Sequence, residues 1–281
     1  MARFQKRKLM IHSKTIKDLS GFTKRFDVFL KKKLAKEKDL LNSSINYSLF
    51  SGGKRFRPYL IFLFGKEYKL SSNIIMNLAA AVEMLHNYSL VHDDLPAMDN
   101  DKYRRGKKTT HYRYNEFIAI LAGCGLLTKT YENLSNKNFK LSDNIKLKLI
   151  ERLTKISGER GLLKGQYLDL SINNKSIAKR IEINRLKTGK LMSYCCSAVG
   201  IASKKNKITV NRLSKVGLYI GEIFQINDDL EDYPRMKKKD KFLLLDYKTQ
   251  LYKKTINELR ILRVKSRKIY LLIDFLIDLK V

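Results

Sequence analysis

The chain has 281 residues, 44% of them hydrophobic, with three prolines and no tryptophan. Such a chain buries a large core and is too apolar to be disordered. Lys and Arg number 58 against 27 Asp and Glu, a formal net charge of +31, but the basic residues are scattered, and neither interleaved aromatics nor a nucleic-acid motif accompanies them. A solvated basic surface with phosphorylated small molecules as specific partners is therefore expected, and no specific nucleic acid.

No Pro-, Gly- or Ser-rich linker interrupts the sequence, so 1–281 is expected to form a single domain, with residues 1–15 a basic N-terminal extension and a candidate for disorder. That N-terminus lacks the apolar core of a secretory signal, although its basic composition does not separate it from a transit peptide. Cys124, Cys195 and Cys196 have no metal-ligand spacing, and reduced thiols in the cytoplasm are expected. The apolar run IAILAGCGLL is too short to cross a bilayer, so no integral membrane association is expected.

In chain order, the first long periodic segment is MNLAAAVEMLHNYSLVHDDL, where Leu78, Ala81, Val82, Leu85 and Ser89 share one side of a helix. Asp93 and Asp94 stand at its C-terminal end, where the helix dipole disfavours carboxylates. Pro96 disfavours helical geometry at Leu95, so the helix should stop there and Asp99 return on a loop. Carboxylates so placed repel one another unless a cation joins them, and oxygen donors with room for water suit Mg²⁺. Segments 115–133, 145–170, 178–202 and 210–232 repeat the helical spacing, and no sustained period of two predicts a sheet. The last of them ends on a second acidic cluster, Asp228, Asp229 and Asp232, of which Asp228 and Asp232 are one helical turn apart. Two such helix ends could clamp Mg²⁺ from opposite sides of one pocket, as a diphosphate leaving group requires.

These residues carry a resemblance. HDDLPAMDNDKYRRGKKT and FQINDDLED resemble the two Asp-rich motifs of bacterial-type short-chain trans-prenyl diphosphate synthases, the farnesyl and geranylgeranyl diphosphate synthase family. GGKRFRP resembles that family's homoallylic-substrate motif, and GLLKGQYLDL and KTGKLM resemble two further helix motifs in the same order. The resemblance implies an all-α fold of roughly ten or more helices around a central cavity, the isoprenoid synthase fold, and a homodimer. It implies Mg²⁺, three ions with substrate bound and Mn²⁺ as an alternative, held by Asp93, Asp94, Asp99, Asp228, Asp229 and Asp232. Arg104 would hold the allylic diphosphate; Lys54, Arg57, His86 and Arg105 would hold isopentenyl diphosphate; Lys187, Thr188 and Gln225 would line the allylic site. Arginine forks and lysine point charges suit phosphate oxygens. His86 precedes Asp93 by nearly two helical turns, which places both toward one cavity.

The chemistry that the resemblance implies is departure of diphosphate from an allylic carbon, attack of the isopentenyl double bond on the resulting cation, and loss of a proton. Tyr88 and Ser89 lie below the first acidic cluster, where the growing chain would run. An aromatic residue there, with the two-residue insertion in the motif, resembles synthases that stop at fifteen carbons, so farnesyl diphosphate is the expected main product, with geranyl or geranylgeranyl diphosphate as alternatives. Two departures stand out: Cys124 occupies a position that is usually Asp, and the segment carrying Lys237, Lys238, Lys239 and Lys241 is short and glycine-free where the family has a covering loop. Poorer cover of the diphosphates is the expected cost. A terpene cyclase would share the fold but needs no second diphosphate site, and a non-catalytic partner subunit would not need the aspartates and the arginine pair.

Overall fold

The structure, a computed structural model, describes residues 2–34, 39–173, 176–232 and 236–278, the side chains of residues 2–12 and of Asp232 excepted. The helices are α1 (Ala2–Lys31), α2 (Leu40–Phe50), α3 (Phe56–Glu67), α4 (Ser72–Asp93), α5 (Thr110–Arg113), α6 (Glu116–Ser135), α7 (Asp143–Ser157), α8 (Leu162–Ser171), α9 (Ile177–Asn184), α10 (Lys190–Ala202), α11 (Lys207–Asp232), α12 (Lys238–Ile261) and α13 (Arg267–Asp278). A π-helical turn, Arg185–Gly189, joins α9 to α10. Among the described residues the only strand pairing is β1 (Tyr103–Arg104) with β2 (Lys107–Lys108), antiparallel. The expected all-α class holds.

Two compact units make up the chain. One comprises Leu19–Phe62 and Ser72–Leu147, the other Met1–Asp18, Leu63–Ser71 and Lys148–Val281. In the first, α4 is the central element: Leu78, Ala79, Ala80, Ala81, Val82 and Leu85 are fully buried, and small residues on both sides, including Ala119 and Ala122 of α6, let the two helices approach closely. Polar side chains stitch the pair where the backbones meet. Asn133 Nδ2 donates to the carbonyl of Asn77 at 2.8 Å and Thr130 Oγ1 to that of Ala81 at 3.4 Å. The 22 residues of α4 are apolar enough that length and composition alone would allow a membrane crossing, a feature hidden from a search for unbroken apolar runs by its interspersed Asn, Glu and His. Its burial within the unit is that of a core helix.

In the second unit α10 and α11 pack closely, for a Cβ on Gly217 would stand 2.3 Å from the Met192 carbonyl oxygen, and Tyr194, Cys195, Cys196 and Val199 of α10 and Leu213, Val216, Ile220 and Ile223 of α11 are fully buried. Cys195 and Cys196 form no disulfide, and burial pushes the Cys196 thiol well above its ordinary pKa. They are small core residues.

Two segments differ from the helices expected of them. The periodic stretch 145–170 is broken: α7 ends at Ser157, the chain turns with the amide of Gly161 donating to the carbonyl of Gly158 at 3.0 Å, and α8 starts at Leu162. Apolar spacing ran on across the break, and only the two glycines marked it. The stretch 178–202 stays helical but gains the π turn, a distortion that recurs at functional sites and that apolar periodicity does not register.

Candidate active site

The first unit gathers one group of the sequence-predicted residues around the turn between α2 and α3 and the C-terminal half of α4. Gly52 and Gly53 have φ of +113° and +128°, values that favour glycine. A Cβ on Gly53 would lie 2.4 Å from Arg105 Nη1, so glycine also lets the arginine reach the loop, where it donates to the Gly52 carbonyl at 2.6 Å. Lys54 is exposed, and Arg57, on the first turn of α3, lies with Nη1 3.1 Å from His86 Nε2. Burial first, and then the charges of Arg57, Arg105, Arg104 and Arg55, hold the His86 pKa well below its ordinary value. The imidazole is therefore neutral, and its Nε2 accepts from Arg57. Arg55, which the sequence reading passed over, is buried between Asp27 and Glu83; burial opposes its charge, but the two carboxylates more than offset this and raise its pKa.

As the sequence predicted, α4 ends at Asp93, and the chain doubles back so that the Asp99 amide donates to the Asp93 carbonyl at 2.9 Å. Arg104 donates through Nε to Asp94 Oδ1 at 2.7 Å, and its Nη2 lies 2.6 Å from the same oxygen and 3.1 Å from Asp101 Oδ2. Burial raises the Asp94 pKa, with Arg104 pulling it back. Asp94, Arg104 and Arg105 line a cavity of about 30 Å³ together with Tyr47 and Asn87, room for about one water. Below them Tyr88 is half-buried and meets His92 edge-to-face at 4.9 Å between centroids, while Ser89 Oγ donates to the carbonyl of His86 at 2.9 Å. Cys124 is exposed on α6.

The second unit gathers the other group on α8, the π turn and α11. Gly165 lets α8 lie against the π-turn backbone, for a Cβ there would stand 2.7 Å from the amide nitrogen of Lys187. One turn along α8, Asp169 accepts from Lys187 Nζ at 3.0 Å. Thr188 Oγ1 donates to Gln225 Oε1 at 2.8 Å, and Gln225 Nε2 reaches Asp229 Oδ1 at 3.4 Å. Asn184 Nδ2 donates to the other Asp229 oxygen at 2.6 Å. Arg185, opening the turn, pairs with buried Glu222 at 3.0 Å, and Glu222 also accepts from the Tyr247 hydroxyl. Thr188, Gln225, Asp229 and Asn184 are thus one connected network, and Lys187 pairs beside it with Asp169. Asp228 is half-buried on the same helix, whereas the Asp232 side chain lies outside the described residues. Lys237 caps α12, and Lys238, Lys239 and Lys241 sit in its first turn rather than in a loop.

Asn184 and Asp169 were not singled out from the sequence; Asp169 lay within a quoted motif, and Asn184 carried no signal. Among the described residues no three His, Cys, Asp or Glu side chains form a ready-made metal cage. Asp94 is engaged by Arg104, and Asp229 by Asn184 and Gln225. This fits a hard cation that binds through one or two carboxylates and completes its shell with water and substrate phosphate.

All-helical architecture, Asp-rich helix ends and arginine forks near a neutral histidine define a protein of the isoprenoid synthase class. A family model described as polyprenyl synthetase matches residues 38–263. The farnesyl diphosphate synthase of Micrococcus luteus is 42% identical over 196 residues, 68% of this chain and 66% of that protein, so the chain matches about two thirds of that relative's length. The farnesyl diphosphate synthase of Bacillus subtilis is 36% identical over 223 residues, 78% of this chain and 72% of the relative. The solved structure of an FPP/GFPP synthase from Zymomonas mobilis matches with a TM-score of 0.84 at 28% identity, covering 94% of this chain and 98% of that one. The chain belongs to the polyprenyl synthetase family.

Proposed function

We propose that the protein is a prenyltransferase that condenses isopentenyl diphosphate with dimethylallyl or geranyl diphosphate, releases diphosphate, and forms mainly farnesyl diphosphate. The observation that carries this reading is the sorting of the site residues into two groups of different chemistry. Around His86 stand two guanidinium groups, Arg57 with Nη1 3.1 Å from His86 Nε2 and Arg105 donating to the Gly52 carbonyl, a concentration of positive charge that suits a diphosphate that stays bound through the reaction. Around Asp94 with Arg104, and around Asp229 with Gln225, carboxylates stand beside groups able to meet phosphate, which suits a diphosphate that leaves.

Mg²⁺, held by Asp93, Asp94, Asp99, Asp228, Asp229 and Asp232, would supply positive charge to the leaving diphosphate oxygens. The chain's own residues do the rest. Arg104 and Lys187 hold the allylic diphosphate, while Thr188 and Gln225 orient it. As the allylic C–O bond breaks, charge grows on the departing oxygens, where each cation about 4 Å away contributes on the order of 4 kcal/mol at an effective dielectric near 20. Arg57 and Arg105 keep isopentenyl diphosphate in place while its double bond forms the new carbon–carbon bond, and a proton then leaves for the departed diphosphate. Neutral His86 orients Arg57 without adding a proton of its own. Tyr88 limits the length of the product.

The reading includes a homodimer. Phe117, Ile120 and Leu121, on one face of α6, are 60%, 45% and 48% exposed, and we assign that face to the second copy.

The test of the carboxylates is steady-state turnover of Asp93→Ala and Asp228→Ala, each expected to lower kcat by at least about 10²-fold, the cost of removing one group that stabilises developing charge. Turnover in both variants within a few-fold of the parent would defeat the assignment.

A further inference from the structure

We propose that Arg55 is a positioning residue for the isopentenyl diphosphate group: its guanidinium ties three helices together and sets the loop that presents Lys54 and Arg57. The inference rests on the function proposed above and concerns a residue that does not reach the substrate. The Arg55 side chain is 2% exposed. Its Nε donates to Asp27 Oδ1 of α1 at 2.9 Å, its Nη1 to Glu83 Oε1 of α4 at 2.6 Å, and its Nη2 to the carbonyl of Leu49 in α2 at 2.5 Å. One planar fork thus satisfies acceptors on three elements, a task that the single point charge of lysine cannot reproduce.

The backbone around it points the same way. Arg55 has a φ of +49°, a left-handed conformation that costs a non-glycine residue free energy and persists only where the surroundings over-determine it. Here the three side-chain bonds do so. The loop is held a second time at Gly52, whose carbonyl accepts from Arg105. Lys54 lies between these two anchors, and Arg57 follows two residues after the second.

Glu83 connects the loop to the histidine. It lies three residues before His86 on α4, and its carboxylate accepts from Asn87 Nδ2 at 3.2 Å as well as from Arg55. The ion pair therefore fixes the register between α4, which carries His86, and the loop and helix start that carry Arg57. If the fork is lost, Arg57 no longer meets His86 Nε2 at hydrogen-bonding distance, and the isopentenyl diphosphate contacts loosen while Arg104, Lys187 and the allylic group keep theirs.

The experiment is steady-state kinetics on Arg55→Lys and Asp27→Asn, varying each substrate in turn, with melting temperatures measured in parallel. Asp27 is the safer variant, since its side chain is 32% exposed and its neutralisation strands no buried carboxylate. The expected result is a KM for isopentenyl diphosphate raised about tenfold in Arg55→Lys, the equivalent of one hydrogen bond, and raised less in Asp27→Asn, with the KM for the allylic substrate unchanged in both. A purely structural role would lower the melting temperature and leave both KM values alone, or move them together, and either result overturns the proposal. If Arg55→Lys does not fold, Asp27→Asn decides by the same criterion. A parent protein with no turnover defeats the functional reading and this inference with it; an active parent whose variants keep their KM for isopentenyl diphosphate defeats the inference alone.

Discussion

His86 lies under Arg57, and the proton that an exposed histidine would take up near neutrality is excluded there by burial and by four arginines. The consequence for stability has a definite sign. Below the ordinary histidine pKa of about 6.5 the unfolded chain binds a proton that the folded chain refuses. The unfolded state then binds more protons, so the stability that this group contributes is complete above pH 6.5 and is lost as the pH falls toward the depressed folded value. The slope from one such group is at most about 1.4 kcal/mol per pH unit. Denaturant unfolding at pH 7 and pH 5.5 is expected to show a steeper loss for the parent than for His86→Gln, which keeps an acceptor for Arg57 but cannot titrate. Equal slopes for the two proteins would show that His86 takes up its proton freely in the folded state.

At the scale of elements, α6 and α12 carry features that packing within a unit does not explain. The stretch 117–128 of α6 contains no charged residue in a chain of net charge +31, and Phe117, Ile120 and Leu121 leave it exposed and apolar. Two copies of so basic a protein repel least where neither presents charge, and a continuous apolar face loses its contact with water when it meets its own kind. Light scattering is expected to find a dimer, and Leu121→Glu to shift it to monomer at equal concentration. A dimer indifferent to that substitution would place the interface elsewhere. The lysines opening α12 are a different case. Cations at a helix N-terminus oppose the dipole, so their presence there does not serve the helix.

For the molecule as a whole, the elements set by local chemistry were the legible ones. Leu95 before Pro96 marked the end of α4, and the return of Asp99 followed from it. The absence of period-two alternation excluded a sheet beyond the two-residue strands at Tyr103–Arg104 and Lys107–Lys108. The break between α7 and α8 was hidden because apolar spacing continued through it, and the π turn was hidden because a single extra residue in a helix leaves almost no trace in periodicity. Motif residues could be named one by one, but Asn184 against Asp229 and Arg55 between Asp27 and Glu83 depend on contacts between distant segments, which spacing does not encode. The central claim, that these residues make prenyl diphosphates, is tested most directly by mass spectrometry of the products formed from isopentenyl diphosphate and geranyl diphosphate with Mg²⁺. The account predicts farnesyl diphosphate as the main product, abolished by EDTA, and a longer product from Tyr88→Ala. Folded protein that binds Mg²⁺ and both substrates yet forms no carbon–carbon bond would contradict it.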